Sequence, residues 1–338
     1  MTITRRQFMK YCTVAAGALG LSAGALYKLR QVLAKEGGLR IVWLPGASCT
    51  GCTVTLANSV YYTTFAELLL NNNLPFQSLD LDYHQTLMAD SGAMSTAEAE
   101  AAKSDFFVLA LEGAIQTGTP GGGTKGDYCT DGLFGSYEKH MDIVWNYANN
   151  TNCLFVLNIG TCASFGGVPG GSPNPTGAYG FLDFIKNEHA SSYKAMRMKT
   201  VNIPGCPPNP NWIVGTIAYI LAHLDITNTW KSLPSLDALR RPREYYGERN
   251  CNNCDRFGKT FIENNNPEQI GWSERTTYCL KKIGCKGSRT KSDCSWKKWN
   301  GPGYLQAGVN WCVGAGAPCQ GCVQPNFPDN FSPFHYIR

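Results

Sequence analysis

The sequence predicts an α/β protein with a mostly parallel sheet and helices on both faces, followed by an irregular, cysteine-rich C-terminal part. Three observations carry this expectation. Between residue 39 and about 225, short apolar runs alternate with helix-length segments, the pattern of βαβ units. Cysteines recur just past the ends of those apolar runs. Beyond Trp230 the periodicity lapses, yet residues 231 to 338 hold eight cysteines among many Gly, Pro and Asn.

Taken in order, L-R-I-V-W-L (39 to 44) reads as the first strand; Pro45 and Gly46 break it, and Cys49 and Cys52 follow with C-x-x-C spacing where a helix should start. Thr53 to Leu70 is expected to be helical, stopped by Asn71-Asn72-Asn73, and Ala97 to Lys103 is a further helix. F-F-V-L-A-L (106 to 111) is the second strand, Ser136 to Ala148 a helix, C-L-F-V-L-N-I (153 to 159) the third strand and K-T-V-N-I (199 to 203) the fourth. Asn211 to Leu224 is an apolar helix. P-G-G-G-T-K (120 to 125) lacks full phosphate-loop spacing and does not join strand to helix, so it reads as an irregular surface loop.

Length and composition bound the rest. With 338 residues, 43% hydrophobic and 12% aromatic, the chain can bury a real core and accommodate two domains. Its net charge of +5 is misleading, because Arg5, Arg6, Lys10, Lys28, Arg30 and Lys35 lie in a leader without a single acid. The remainder carries 24 basic and 25 acidic residues, so no electrostatic footprint for nucleic acid is left. That leader, residues 1–35, joins T-R-R-Q-F-M-K to a mild Ala/Gly-rich apolar run from Tyr11 to Tyr27. It matches a twin-arginine export signal better than a membrane span, which needs about 20 strongly apolar residues. Export of the folded chain, to the periplasm or the outer face of the cytoplasmic membrane, is the expectation, with no transmembrane helix of its own after processing.

Fifteen cysteines in an exported chain would ordinarily suggest disulfides. Three C-x-x-C pairs (Cys49/Cys52, Cys251/Cys254, Cys319/Cys322) argue instead for shared metal centres, which a folded-state export route allows to be loaded before an oxidising compartment is met. The strand ends decide the first site. Strand 39 to 44 leads to Cys49 and Cys52, strand 153 to 159 to Cys162, and strand 199 to 203 to Cys206. Ligands of open α/β sheets bind beyond the carboxyl ends of the strands, so four thiolates reach one edge, the number a 4Fe-4S cubane takes. In the C-terminal part, Cys251, Cys254, Cys279 and Cys285 form one further set and Cys294, Cys312, Cys319 and Cys322 another. Metal would organise a region with so little apolar periodicity. Zinc competes for either set; a run of three sites favours an iron–sulfur wire.

C-T-G-C (49 to 52), L-D-Y-H-Q-T-L-M (81 to 88), L-E-G-A-I (111 to 115), G-T-C-A-S-F-G-G (160 to 167), I-P-G-C-P-P-N-P (203 to 210), Y-C-L-K-K-I-G-C-K-G (278 to 287) and A-G-A-P-C-Q-G-C (315 to 322) together resemble the small subunit of nickel-iron hydrogenases. The resemblance implies a flavodoxin-like domain over residues 36–229 and a cluster-binding domain over 230–338. It also implies a proximal 4Fe-4S cluster on Cys49, Cys52, Cys162 and Cys206. The Ni-Fe centre would sit on a separate large subunit, leaving no catalytic residue here, and electrons from H2 oxidation would pass through three clusters to a membrane or cytochrome acceptor.

Three departures from the family pattern qualify these expectations. Where the family commonly has H-x-x-C at the distal cluster, this chain has Cys251 in C-N-N-C; thiolate for imidazole adds negative charge and should lower the potential. Cys312 stands where the family's 3Fe-4S medial cluster has proline, so a 4Fe-4S medial cluster on Cys294, Cys312, Cys319 and Cys322 is expected in place of 3Fe-4S. Of two extra cysteines in oxygen-tolerant members, one place matches Cys129 and the other is Gly51, so an ordinary proximal cubane is expected. Cys129 and Cys153 read as plain thiols, Glu112 as either an interface residue or a solvated turn acid, and His84 as packing or interface. Two alternatives stand beside this reading: the Fe-S subunit of another redox complex, such as the quinone-reductase type, and an exported zinc or disulfide structural protein.

Overall fold

The computed structural model describes residues 39–59, 79–131, 137–224, 227–261, 278–299 and 308–328. The helix expected over Thr53 to Leu70 ends earlier, at Ala57, where the Asn58 amide closes the last turn onto Val54 O and Thr55 O; the leader and residues 60 to 78 lie outside the described residues. The framework is a five-stranded sheet of β1 (Leu39–Pro45), β2 (Leu79–His84), β3 (Phe107–Glu112), β4 (Cys153–Ile159) and β5 (Thr200–Ile203), in the order β2-β1-β3-β4-β5. Every pairing is parallel, which is the flavodoxin-like order, with the switch point between β1 and β3.

Sequence explains the arrangement. β3 (FVLALE) and β4 (CLFVLNI) are buried at every position, as strands covered on both faces must be, and they lie inside the sheet. One face packs Ile41, Trp43, Val108, Ala110, Leu157 and Ile159 against helix α7 (Pro210–Ala222) through Trp212, Ile213, Ile217, Ile220 and Leu221. The other packs Val42, Leu109, Leu111 and Val156 under α2 (Ala93–Ala102), α3 (His140–Asn149) and α5 (Phe181–Glu188). α7 has its own start signal: Pro210 occupies the first turn and the Asn209 side chain accepts from the Asn211 amide at 3.0 Å.

β2 does not stand out in the sequence as a strand, because L-D-L-D-Y-H alternates acid with apolar. It is an edge strand; Asp82 is buried and held by Arg40 of β1 at 2.7 Å. Burial nevertheless pushes the Asp82 carboxyl up to about 6, Arg40 opposing. The helix expected from Ser136 begins at His140, since Glu138–Lys139 pairs antiparallel with Thr130–Asp131.

Past the sheet the chain is built of single turns: α8 (Arg243–Tyr246), 3-10 turns at Asn250–Asn253, Leu280–Ile283 and Gly287–Arg289, and α9 (Cys294–Lys297). A small apolar cluster of Leu280, Trp311, Val313 and Cys319 is its own core. It is fastened to the sheet domain by polar contacts to buried groups, Trp212 Nε1 donating to Asp293 Oδ1 at 2.7 Å and Tyr246 OH to Pro204 O at 2.8 Å, and is tied within itself by Arg241 Nη1 donating to Val323 O at 2.9 Å.

Candidate metal centres

The three strand ends deliver their cysteines as the spacing implies. After β1, Thr50 takes a positive φ of 63° and helix α1 (Gly51–Ala57) begins, putting Cys52 in its first turn and Cys49 on the loop before it. After β4, the short helix α4 (Thr161–Phe165) carries Cys162; after β5, the loop before α7 carries Cys206. Cys52 is buried, Cys162 half-buried, and Cys49 and Cys206 are exposed.

The four thiols act on one another. Cys52 is pushed well above the ordinary thiol range by burial, then by Glu112 and by Cys162, Cys49 and Cys206. Burial carries Cys162 up to about 12, with Cys206 and Cys49 adding repulsion, and Cys206 is raised by burial and by Cys49. Thiols packed this way can be anionic together only against a compensating cation, the condition that iron supplies.

Glycines make the space. At Gly160, where φ is +91°, a β-carbon would stand 2.5 Å from Cys52 Sγ; at Gly167, φ +54°, it would stand 2.7 Å from Cys162 Sγ. Gly160→Ala combines an unfavourable backbone with a contact on a candidate ligand. It is expected to cost roughly 2–3 kcal/mol and to lower the iron retained after gel filtration. A β-carbon at Gly51 would lie 3.1 Å from Cys49 Sγ, so this position borders the site, and its being glycine leaves the thiol count there at four.

A buried polar layer lies behind these ligands, and spacing did not reveal it. Glu112, 2% exposed at the end of β3, accepts from Cys52 N at 3.0 Å, Trp43 Nε1 at 3.1 Å, Thr53 N at 3.4 Å and Thr53 Oγ1 at 2.5 Å. The solvated-acid reading of Glu112 is therefore corrected. His84 is buried and stacks at a tilt on Trp43 with centroids 5.1 Å apart. The Thr86 amide donates to its Nδ1 at 3.2 Å, leaving Nε2–H to donate to Thr53 Oγ1 at 3.1 Å. Burial lowers His84 to about 4, Glu112 opposing, so a neutral imidazole completes a line of donors ending on the carboxylate.

Thr161 is the second residue of this kind. Its amide donates to Gly205 O at 2.9 Å, its Oγ1 accepts from Gly205 N at 2.9 Å, and its hydroxyl donates to Cys322 O. Three segments, each carrying a cysteine, are thus tied at one residue.

The C-terminal thiols lie near one another in two overlapping groups. Cys251, Cys254, Cys279 and Cys285 all line a single cavity of about 420 Å³. Burial is the first cause raising Cys251 and Cys285 to about 11; Cys285, Cys254 and Cys279 add to Cys251, while Cys285 is raised by Cys319 of the other group before Cys279. Cys322 is raised by burial, then by Cys294, Cys319 and Cys312, which gathers the other set. Close contacts join the sets in series. The Cys206 backbone lies beside the Cys322 thiol and favours its anion, and Cys319 N donates to Cys285 Sγ at 3.3 Å. Asn250, buried beside Cys251, directs Nδ2 to Cys319 Sγ at 3.8 Å while its Oδ1 accepts from Ser292 N and Oγ.

The two remaining described cysteines join neither arrangement. Cys129 has Asp131 as its charged neighbour and rises to about 11 through burial. Cys153 is fully buried at the head of β4, its thiol donating to Phe155 O at 3.5 Å. The loop at 120 to 125 is exposed and closes on itself, Gly123 N donating to Pro120 O at 3.0 Å.

Comparison with known proteins agrees with this architecture. Residues 246–335 match the family model for the C-terminal region of NiFe/NiFeSe hydrogenase small subunits, and residues 49–220 that of the NADH ubiquinone oxidoreductase 20 Kd subunit. The periplasmic [NiFeSe] hydrogenase small subunit of Desulfomicrobium baculatum is 33% identical over 99% of each chain. The periplasmic [NiFe] hydrogenase small subunit 1 of Nitratidesulfovibrio vulgaris is 31% identical over 98% of this chain and 93% of its own. Among solved structures, the reduced, active Ni-Fe-Se hydrogenase of Desulfomicrobium baculatum superposes with a TM-score of 0.71 at 32% identity, covering 89% of this chain and 100% of that one. With relatives matched end to end, the chain belongs to the small subunits of nickel-iron hydrogenases, the electron-transfer subunits of an H2 oxidoreductase.

Proposed function

We propose that this chain holds three 4Fe-4S clusters: a proximal one on Cys49, Cys52, Cys162 and Cys206, a medial one on Cys294, Cys312, Cys319 and Cys322, and a distal one on Cys251, Cys254, Cys279 and Cys285. When bound, such clusters supply one-electron redox chemistry. The observation that carries the reading is the serial contact between thiol sets, Cys206 to Cys322 and Cys319 to Cys285. The protein's own part is to fix these spacings and to keep water from the buried ligands.

The thiols suit a cubane better than zinc. Among the described residues no three Cys, His, Asp or Glu side chains close as a single ion would require, whereas four thiols bordering one cavity of about 420 Å³ leave room for a larger group. The match of residues 49–220 to a quinone-oxidoreductase model supports the alternative relay only for that domain; the two C-terminal sets lie beyond it.

The exposed Cys49 and Cys206 mark the edge that would face the Ni-Fe-bearing large subunit. The periplasmic relatives and the twin-arginine leader support export, with H2 oxidation outside the cytoplasm and electrons leaving to a membrane or cytochrome acceptor. No helix among the described residues is long and apolar enough to cross a membrane. Purified protein is expected to contain about 12 Fe per chain and no stoichiometric zinc, the sum of three four-iron clusters; elemental analysis giving one or two Zn and little iron would sink the assignment.

A further inference from the structure

Among the described residues, the rim of the distal site differs in charge from the rest of the chain. Outside the leader the chain carries 24 basic and 25 acidic residues, yet residues 278 to 291 contain Lys281, Lys282, Lys286, Arg289 and Lys291 with no Asp or Glu. Lys281, Lys282, Arg289 and Lys291 are exposed, and Lys286 is half-buried. Lys259 and Lys281 line the cavity bordered by the four distal thiols, and Lys259 is exposed as well.

Two aromatic rings share this rim. Phe257 is 64% and Phe261 42% exposed, both lining the same cavity, and Lys282 Nζ stands 5.9 Å above the Phe261 ring. By contrast Arg256, next to Phe257, is spent internally, its Nε donating to Val313 O and its Nη1 to Tyr278 O, both at 3.1 Å. Asp255 is exposed beside Cys254 and is the carboxylate next to that ligand.

Taking the distal cluster as assigned above, we propose that this rim docks an acidic redox protein, a one-electron carrier whose cofactor edge is ringed by carboxylates. The lysines would steer and orient the carrier, and Phe257 and Phe261 would provide the dry centre of a small, transient interface. A basic carrier would be repelled by the same residues.

The test uses the assembled hydrogenase with H2 as donor and two probe acceptors: acidic cytochrome b5 and basic cytochrome c. At low ionic strength kcat/KM is expected to be higher for cytochrome b5 and to fall about tenfold as salt shortens the screening length. In Lys281→Glu/Lys282→Glu it should drop about tenfold for cytochrome b5 and rise for cytochrome c; Lys259→Glu alone should reproduce the direction. Preference for cytochrome c, or indifference to both salt and substitution, overturns the proposal. Sedimentation with phosphatidylglycerol vesicles supplies the other arm: variants that lose vesicle binding while reducing cytochrome b5 normally would assign the lysines to a membrane surface instead. Iron content and H2-reducible electron paramagnetic resonance signals in the same samples separate the two levels. Loaded, reducible clusters without charge selectivity refute docking alone, whereas absent or unreducible clusters refute the relay beneath it.

Discussion

Glu112→Leu is expected to destabilise the protein by roughly 3–5 kcal/mol and to leave the proximal site without its cluster. The carboxylate is buried and accepts from four donors: the Cys52 amide, the Trp43 indole, and the Thr53 amide and hydroxyl. Leucine fills similar volume but leaves those donors facing apolar atoms, and each unmet buried donor costs on the order of 1–3 kcal/mol before relaxation. The loss is local to the ligand: without an acceptor for the Cys52 amide, the first turn of α1 no longer has a fixed seat on the end of β3. Iron should fall from about 12 to about 8 per chain, the share of one four-iron cluster, and the thermal midpoint should drop. Glu112→Gln keeps an acceptor but turns an amide NH2 toward existing donors, so a smaller loss of about 1–2 kcal/mol follows. A Glu112→Leu protein with full iron and an unchanged midpoint would show that the carboxylate is dispensable to the site.

That residue also shows where sequence reasoning stops. The strands bearing the first site were legible because β3 and β4 lie between two helical layers and are apolar throughout. The grouping of Cys49, Cys52, Cys162 and Cys206 was legible because their thiols follow the ends of parallel strands. β2 was hidden by its aspartates, of which Asp82 finds its role only with Arg40 across the pair. Helices Phe181–Glu188 and Tyr193–Met198 were likewise unread, being too short to show a sustained period. Glu112, Thr161 and Asn250 form the polar layer behind the thiols, and their partners are remote in sequence: Glu112 to Cys52, Thr161 to Cys322 and Asn250 to Cys319. An acid closing the buried run L-A-L-E was the one available signal, because a charge at the end of such a strand must find donors. In the C-terminal part no propensity marks the turns at all; the Trp212–Asp293 bond that fastens it to α7 joins residues on either side of that boundary.

The sharpest consequence of the cysteine pattern concerns the medial set. Oxidised wild-type protein is expected to give no strong 3Fe-4S resonance if, as proposed, Cys312 supplies the fourth thiolate beside Cys294, Cys319 and Cys322. Cys312 acts electrostatically on both Cys319 and Cys322, which supports its proposed place in this group; it is itself raised by burial and by Cys285, and it has an exposed face. Cys312→Pro removes that thiolate and with it the hold on one iron. The variant should show about one 3Fe-4S spin per chain after oxidation, about 11 Fe in place of about 12, and a medial potential raised by the lost anionic ligand. Cys312→Ala serves as the control for backbone effects of proline and should give the same resonance. Raising the middle of three sites in series changes the energy profile between proximal and distal sites while leaving the contacts at Cys206 and Cys285 in place. A strong 3Fe-4S signal in wild-type protein prepared without oxygen would remove Cys312 from the ligand set, and with it the physical reason for expecting three clusters of one kind.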